Sequence, residues 1–207
     1  LGDVYKRQIE SSGLVASAAV FADDTIVAEF TVNNKQTHSQ TLLPMIDQVV
    51  TMSGIDLKEI DAIATTSGPG SFTGLRIGAA TAKGLGLALH KPIVPITTLE
   101  ALAFRLAGRE GNICPMMDAR RNQVYAGVYR VGDMLLECVT GQKAVSIEDY
   151  IAELNDLGDP VTVLGDGVPV HREALQQGLN VAWQEAPAHM NRQSAASVCL
   201  LYTSPSP

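Results

Sequence analysis

The first half of the chain alternates between strand-like and helix-like hydrophobic patterns. Two apolar runs, 14–21 and 25–32, are separated by a short polar break and predict a β-hairpin. Apolar residues at helical spacing predict a helix over 40–52, with a glycine at position 54 suited to end it. The same reasoning predicts strands over 60–66 and 93–96 and helices over 73–89 and 99–106.

A similar series of elements follows a polar, glycine-flanked break at 107–111. The pattern predicts strands over 113–117, 123–130, 134–139 and 161–164, and helices over 147–154, 172–177 and 193–201. Both halves therefore contain strands, a hairpin and helices in a similar order. We expect two related α/β lobes, 9–107 and 108–200.

The two ends of the chain do not fit this pattern. Lys6 and Arg7 stand where a buried first strand should lead into Ile9, and such side chains are rarely buried unpaired. Two prolines interrupt the last predicted helix within 201–207. We expect 1–8 and 201–207 to be non-native sequence on a truncated C-terminal lobe.

Composition narrows the class of protein. Hydrophobic residues make up 46% of the chain and charged residues only 18%, which favours an extra buried surface such as a protein interface. The net charge of −7 makes the isolated chain a poor ligand for nucleic acid, because such binding depends on neutralising phosphates. No apolar run reaches the roughly 18 residues of a membrane span. Three cysteines without a CxxC motif suit a reducing compartment.

A glycine-rich turn, SGPGSFTGLRIG over 67–78, joins a predicted strand to a predicted helix. Its glycines permit positive φ, and a serine or threonine can cap the helix that follows. A turn of this kind can bind a phosphate at the helix N-terminus. Its glycine spacing differs from the dinucleotide fingerprint, however, and no Lys-Ser or Lys-Thr pair follows. A structural turn and an anion or nucleotide site both remain open for Ser67, Gly68, Gly70, Ser71, Thr73 and Arg76.

The helix predicted over 73–89 has a stripe of small residues. Gly74, Gly78, Ala82 and Gly86 recur every four positions, although each glycine inside a helix costs about 1 kcal/mol relative to alanine. Small ridges allow backbones to approach closely, and packing can recover that cost. The stripe therefore predicts either packing within the lobe or a helix interface with another chain.

Two acidic residues are candidates for contacts to a nucleotide. Glu10 ends a predicted strand and precedes Ser11-Ser12-Gly13, and Asp118 ends the first strand of the second lobe beside Arg120. An actin-like ATPase would need acids at such strand ends. The alternatives are a carboxylate capped by backbone N–H groups at Glu10 and a local ion pair and turn at Asp118.

The sequence contains no recognisable metal or nucleophile motif. The four histidines, at positions 38, 90, 171 and 189, form neither HExxH nor HxxxH, so we predict no metal site. No serine lies in a nucleophile elbow. A peptidase is therefore the least favoured class.

As a whole string, the motif over 67–78 resembles the signature of the TsaB (YeaZ) family. IESS at 9–12, HSQTLLPMI at 38–46, PITTLEAL at 95–102 and MDARRNQVY at 117–125 agree in order and spacing. The resemblance runs from about position 9 to position 200. It implies a two-lobed, actin-like (ASKHA), ribonuclease-H-like α/β fold, with a mixed sheet and helices in each lobe.

The resemblance also implies a role. TsaB-like proteins are bacterial, cytoplasmic and non-catalytic, and they pair with the paralogous enzyme TsaD and with the ATPase TsaE. The assembly adds a threonylcarbamoyl group to N6 of the adenosine 3′ of the anticodon in ANN-decoding tRNAs. ATP and a metal ion belong to TsaD, the chain has no cofactor of its own, and tRNA is reached only through the complex.

The family pairs with TsaD, or with a second copy of itself, through the first two helices of the N-terminal lobe. Carried over to this chain, those helices are 40–52 and 73–89. The predicted interface residues are Leu42, Met45, Ile46, Val49, Gly74, Gly78, Ala82, Leu85 and Gly86.

Three functions therefore compete. The first is a non-catalytic partner subunit. The alternative is a stand-alone, nucleotide-dependent enzyme in which Glu10, Asp118 and the glycine-rich turn meet a phosphate and magnesium. The third is a metallopeptidase, since older usage calls the wider family glycoproteases.

Overall fold

The structure, a computed structural model, describes residues 5–13, 15–23, 25–33, 38–132 and 135–198. The chain divides into two compact units. The described residues of the first unit lie within 5–101 and 193–198, and those of the second lie within 102–192.

The first unit contains a five-stranded mixed sheet in the order β3-β2-β1-β4-β5. The antiparallel pairs are β1–β2 and β2–β3, and the parallel pairs are β1–β4 and β4–β5. Its strands are β1 (Tyr5–Glu10), β2 (Ala16–Ala22), β3 (Thr25–Val32), β4 (Ile60–Gly68) and β5 (Ile93–Thr97). Its helices are α1 (His38–Ser53), α2 (Phe72–Leu89) and α3 (Thr98–Phe104), with a short 3₁₀ helix at Leu57–Glu59.

Helices α1 and α2 close the hydrophobic core of this unit. The apolar side chains of α1 recur at helical spacing and are buried where the helix packs on β2 and β3. The cluster comprises Leu42, Met45, Ile46, Val49 and Ala82 from the helices and Ile9, Ala16, Ala18, Val20 and Ile63 from the strands.

The second unit repeats this topology. Its strand order is β10-β9-β6-β7-β8, with antiparallel β6–β7 and β7–β8 pairs and parallel β6–β9 and β9–β10 pairs. The elements are β6 (Asn112–Arg120), β7 (Gln123–Gly132), β8 (Leu135–Ser146), α4 (Ile147–Leu157), β9 (Val161–Leu164), α5 (Gly167–Gly178) and β10 (Trp183–Glu185). The predicted fold class, an α/β protein with two ribonuclease-H-like mixed sheets, is confirmed.

Part of the segment 1–8 takes part in the first sheet, and its non-native origin stays a prediction. Tyr5–Glu10 forms β1, the central strand of the first sheet, and Gln8 is fully buried. The strand forms because backbone pairing with β2 and β4 on both sides does not depend on the charges of Lys6 and Arg7. Residues 1–4 and 201–207 lie outside the described residues.

The predicted lobe boundaries also need correction, because the chain returns to the first unit after β10. Glu29 of β3 accepts hydrogen bonds from Ser194 Oγ at 2.5 Å and from the Ala196 N–H at 3.3 Å. Val198 packs with Ala64, Ile96 and Ala101. The segment 193–198 therefore belongs to the first unit and not, as predicted, to the second.

We predict that Tyr150→Phe lowers the free energy of unfolding by about 1–2 kcal/mol, because a buried acceptor loses its donor. The Tyr150 hydroxyl donates to the Gly127 carbonyl oxygen at 2.9 Å inside the core of the second unit. Tyr125→Phe is the control, since Tyr125 is only partly buried and its hydroxyl bonds to no described residue. Urea unfolding measures both variants, and equal losses would contradict the assignment.

Candidate functional site

The glycine-rich turn between β4 and α2 is hydrogen-bonded to the β1–β2 turn. The Ser71 N–H donates to the Ser12 carbonyl oxygen at 2.6 Å. The Ser11 hydroxyl donates to the Gly74 carbonyl oxygen at 2.9 Å, and this bond is buried. The first turn of α2 is thereby fixed to the end of the central strand.

The glycines of this turn are required by that close approach. A Cβ added at Gly70 would collide with the Ser12 carbonyl oxygen, and one added at Gly78 would collide with the Ser11 hydroxyl. Gly70 also has a φ of +155°. The small-residue stripe of α2 therefore faces its own sheet, which agrees with the packing alternative that the sequence left open.

Several polar groups that could hold a phosphate here already have hydrogen-bond partners within the protein. Ser71 is the N-cap of α2, and its hydroxyl accepts from the Gly74 N–H at 3.3 Å. The Ser12 N–H and hydroxyl both donate to Glu10 Oε1, at 2.6 and 2.5 Å. Ser67 donates to the Ile96 carbonyl oxygen at 3.1 Å. A phosphate bound by these particular groups would have to displace existing hydrogen bonds.

Glu10 is placed to support the fold rather than to contact a ligand. Its side chain is 1% exposed. Burial raises the pKa of this carboxyl from 4.5 to about 7, and the hydrogen bonds from Ser12 offset only part of that rise. The carboxyl fixes the β1–β2 turn, as the capped-carboxylate alternative predicted.

Two further residues of the turn lie at the surface. Thr73 is exposed in the first turn of α2 and does not cap the helix. Arg76 is also exposed, and its guanidinium carbon lies 5.2 Å from the centre of the Phe72 ring. Gly68 has a φ of +111°, which explains the glycine at that position.

In the second unit, Asp118 lies two residues before the end of β6, within a small polar cluster. Its N–H donates to Asp166 Oδ1 at 3.3 Å, and its own Oδ1 accepts from the Arg120 N–H at 2.9 Å. His171 Nε2 lies 3.8 Å from Asp118 Oδ1 and has a buried ring. Burial raises the pKa of Asp166. Sequence reasoning found Asp118 and Arg120 but missed Asp166 and His171.

A sequence signal for Asp166 did exist. Gly165 and Gly167 flank it directly after β9, the strand that corresponds to β4 in the first unit. A Cβ at Gly165 would collide with the Met116 carbonyl oxygen, and one at Gly167 would lie 3.1 Å from the same atom. Each unit therefore uses glycine to bring a turn onto the end of its central strand.

The structure places most of the predicted interface residues inside the first unit, and their role in binding a partner stays a prediction. Leu42, Met45, Ile46 and Val49 lie in the core of the first unit, and Leu85 is half-buried against it. Gly74, Gly78, Ala82 and Gly86 are buried. The sequence pattern identified the core side of α1 and α2.

The same helices also carry large apolar side chains that are exposed to solvent. They are Leu43 and Met52 on α1, 57% and 79% exposed, and Phe72 and Leu87 on α2, 74% and 78% exposed. Leu43, Phe72 and Leu87 do not share the helical spacing of the core residues. That difference was the sequence signal for their exposure, and sequence reasoning missed it.

Within the described ranges, no three His, Cys, Asp or Glu side chains are placed to hold a metal ion. The described helices also include none that is both long and apolar enough to cross a bilayer.

Comparison with known proteins identifies the family. The family profile described as "TsaD: tRNA N6-adenosine threonylcarbamoyltransferase" matches residues 25–204. The protein of Bacillus subtilis (strain 168) named tRNA threonylcarbamoyladenosine biosynthesis protein TsaB is 33% identical over 171 residues, covering 83% of this chain and 75% of that protein. This chain belongs to the TsaB (YeaZ) family.

Other members of the TsaB family agree with this assignment. The TsaB protein of Haemophilus influenzae is 45% identical over 94 residues, which cover 44% of this chain and 39% of that protein. A solved structure from Pseudomonas aeruginosa, described as similar to peptidase YEAZ, superposes with a TM-score of 0.79 at 24% identity. It covers 96% of this chain and 90% of that one. This last match supports the fold alone.

We predict that Gly78→Ala and Gly84→Ala change the stability of this TsaB-family chain in opposite directions. Gly78→Ala displaces the buried Ser11 hydroxyl and should cost about 1–3 kcal/mol. Gly84 lies on the same helix with nothing within 4 Å of an added Cβ, so Gly84→Ala should gain up to about 1 kcal/mol. Denaturant unfolding of both variants measures this, and a stabilising Gly78→Ala would refute the close contact.

We also predict that Glu10 makes stability fall with rising pH. Because the folded-state pKa is about 7 and the ordinary value 4.5, its protonated form is favoured in the folded state. The contribution is fully present below about pH 4.5, and about 3 kcal/mol is lost as the pH rises through 7.

Glu10→Gln removes this titration. The free energy of unfolding of the variant, relative to that of the wild type, should therefore be higher at pH 8.5 than at pH 5. Glu173→Gln, at an exposed position on α5, is the matched control, and its stability should change with pH as that of the wild type does. An equal change in unfolding free energy between the two pH values for wild type and Glu10→Gln would contradict the raised pKa assigned to Glu10.

Proposed function

We propose that this chain is the non-catalytic subunit that pairs with TsaD and acts with TsaE in N6-threonylcarbamoylation of the adenosine 3′ of the anticodon in ANN-decoding tRNAs. The names of its relatives, which refer to tRNA threonylcarbamoyladenosine biosynthesis, support the pathway. The profile match supports kinship with TsaD itself.

One observation carries the non-catalytic part of the proposal. The N–H and hydroxyl groups of Ser12 and Ser71, which would hold a phosphate, are bonded within the protein. Glu10, the acid of the first central strand, is buried beneath them. These particular groups are therefore available to a nucleotide only if their hydrogen bonds within the protein break. On this proposal the chain has no cofactor of its own, and ATP and a metal ion belong to TsaD.

The outer faces of α1 and α2 are the proposed partner surface. Isolated exposed apolar residues are normal, and the proposal rests on each of these two neighbouring helices exposing two large ones. Both helices rest on a packed core, so they present a rigid surface. The same surface suits TsaD or a second copy of this chain. The net charge of −7 supports tRNA contact only through the complex, in the cytoplasm.

The second candidate is a nucleotide-dependent enzyme acting alone. The favouring observation is the Asp118 carboxylate, which is 35% exposed beside Asp166 and His171. An actin-like enzyme would also need an available acid in the first unit, and Glu10 is occupied by Ser12. A metallopeptidase has no candidate ligand set within the described part of the chain.

Reconstitution tests the proposal. The chain is co-expressed with TsaD and TsaE of the same organism, and threonylcarbamoyladenosine in tRNA is measured with and without it. We predict that omission abolishes the modification. We further predict that Met52→Asp with Leu87→Asp reduces both TsaD co-purification and the modification at least tenfold, because two charges would be buried in the interface.

Val170→Asp is the matched control, since Val170 is 61% exposed on α5 of the second unit. It should leave pairing and modification unchanged. Normal co-purification of the Met52→Asp, Leu87→Asp variant would refute this surface, and modification without the chain would refute the function.

A further inference from the structure

The turn of the β6–β7 hairpin contains arginines at positions where the backbone conformation disfavours them. Arg120 pairs with Gln123 to close the ladder, and Arg121 and Asn122 form a two-residue loop. All three of Arg120, Arg121 and Asn122 have left-handed backbones, with φ of 64°, 51° and 60°. Glycine and asparagine favour such positions, because a larger side chain crowds the backbone there. Asparagine fits position 122, whereas arginine is disfavoured at 120 and 121.

The turn is held firmly from both sides. The Arg120 N–H donates to Asp118 Oδ1 at 2.9 Å. On the other side, the Ile147 N–H donates to the Asn122 carbonyl oxygen at 3.1 Å, and Asn122 Nδ2 donates to Glu148 Oε1 at 2.6 Å. The arginines therefore project from a fixed backbone and not from a mobile loop.

The two guanidinium groups have no partner among the described residues, and both arginines are exposed. Other arginines of the second unit differ in this respect. Arg130 forms an ion pair with Asp159 at 2.7 Å, and Arg172 forms one with Glu185 at 2.8 Å. Two acids that contact the turn, Asp118 and Glu148, already accept hydrogen bonds from it. The tip thus presents two adjacent positive charges that the described part of the chain does not neutralise.

The chemistry of this tip suits a phosphodiester backbone. Guanidinium is planar and binds phosphate oxygens in pairs. A chain of net charge −7 repels a polyanion as a whole, so any contact to RNA must be local and specifically placed. We propose that Arg120 and Arg121 contact phosphates of the tRNA bound by the TsaD-containing assembly. This assignment rests on the function proposed above.

The test uses the assembled complex and a fluorescently labelled ANN-decoding tRNA. Arg120→Gly with Arg121→Gly removes both charges and at the same time relieves the left-handed strain. If Arg120 and Arg121 instead stabilised the fold, this variant would unfold at a lower temperature than the wild type. We expect a midpoint of thermal unfolding equal to or above that of the wild type, together with a roughly tenfold weaker tRNA affinity at ~100 mM salt.

Salt dependence gives a second readout. The slope of log Kd against log salt concentration should shrink by about 1–2 in the double-glycine variant, which reports lost phosphate contacts. The control is Lys58→Gln with Arg172→Gln, which removes the same net charge at exposed positions elsewhere. It should keep the wild-type affinity and slope.

The possible outcomes separate the two proposals. Unchanged tRNA affinity and slope in a double-glycine assembly that still modifies tRNA would overturn the arginine assignment alone. Weaker TsaD co-purification, with an unchanged tRNA affinity of the assembly that does form, would show that the tip binds an acidic protein surface and would also overturn the arginine assignment. A wild-type assembly in which this chain is dispensable for both tRNA binding and modification would overturn the proposed function and the assignment together.

Discussion

The close approach of helix α2 to the β1–β2 turn is the constraint on which the first unit depends. Glycine at positions 70 and 78 allows it, since a Cβ at either would collide with Ser12 or Ser11. Two hydrogen bonds then join the turn to the helix, and Ser71 caps the helix that they position. Glu10 completes the arrangement by accepting two hydrogen bonds from Ser12.

This constraint links fold to function. A turn that uses its N–H groups to fix a helix cannot also offer them to a phosphate without breaking those bonds. The second unit uses Gly165 and Gly167 for a similar approach but places Asp118, Asp166 and His171 there. The same topology thus supports different polar groups in its two copies. The fixed α2 also presents its outer face at a defined position beside α1.

The sequence predicted the fold well where hydrophobic periodicity is strong. It predicted β9 at its observed bounds and α2 to within one residue. It failed at β1, because Lys6 and Arg7 resemble solvent-exposed sequence whereas the strand is fixed by pairing on both sides. It left open whether the small-residue stripe of α2 packs within the lobe or binds a partner, since such a stripe looks the same against a sheet or a partner. His171 lies far from Asp118 in sequence, and only tertiary packing brings them together.

The most direct measurement is a calorimetric titration of ATP with magnesium into the isolated chain. Because the N–H and hydroxyl groups of Ser12 and Ser71 are hydrogen-bonded within the protein, the account predicts no saturable binding up to roughly millimolar nucleotide. Saturable binding in the micromolar range that weakens in Ser71→Ala or Glu10→Ala would contradict it, because those groups would then be serving the ligand.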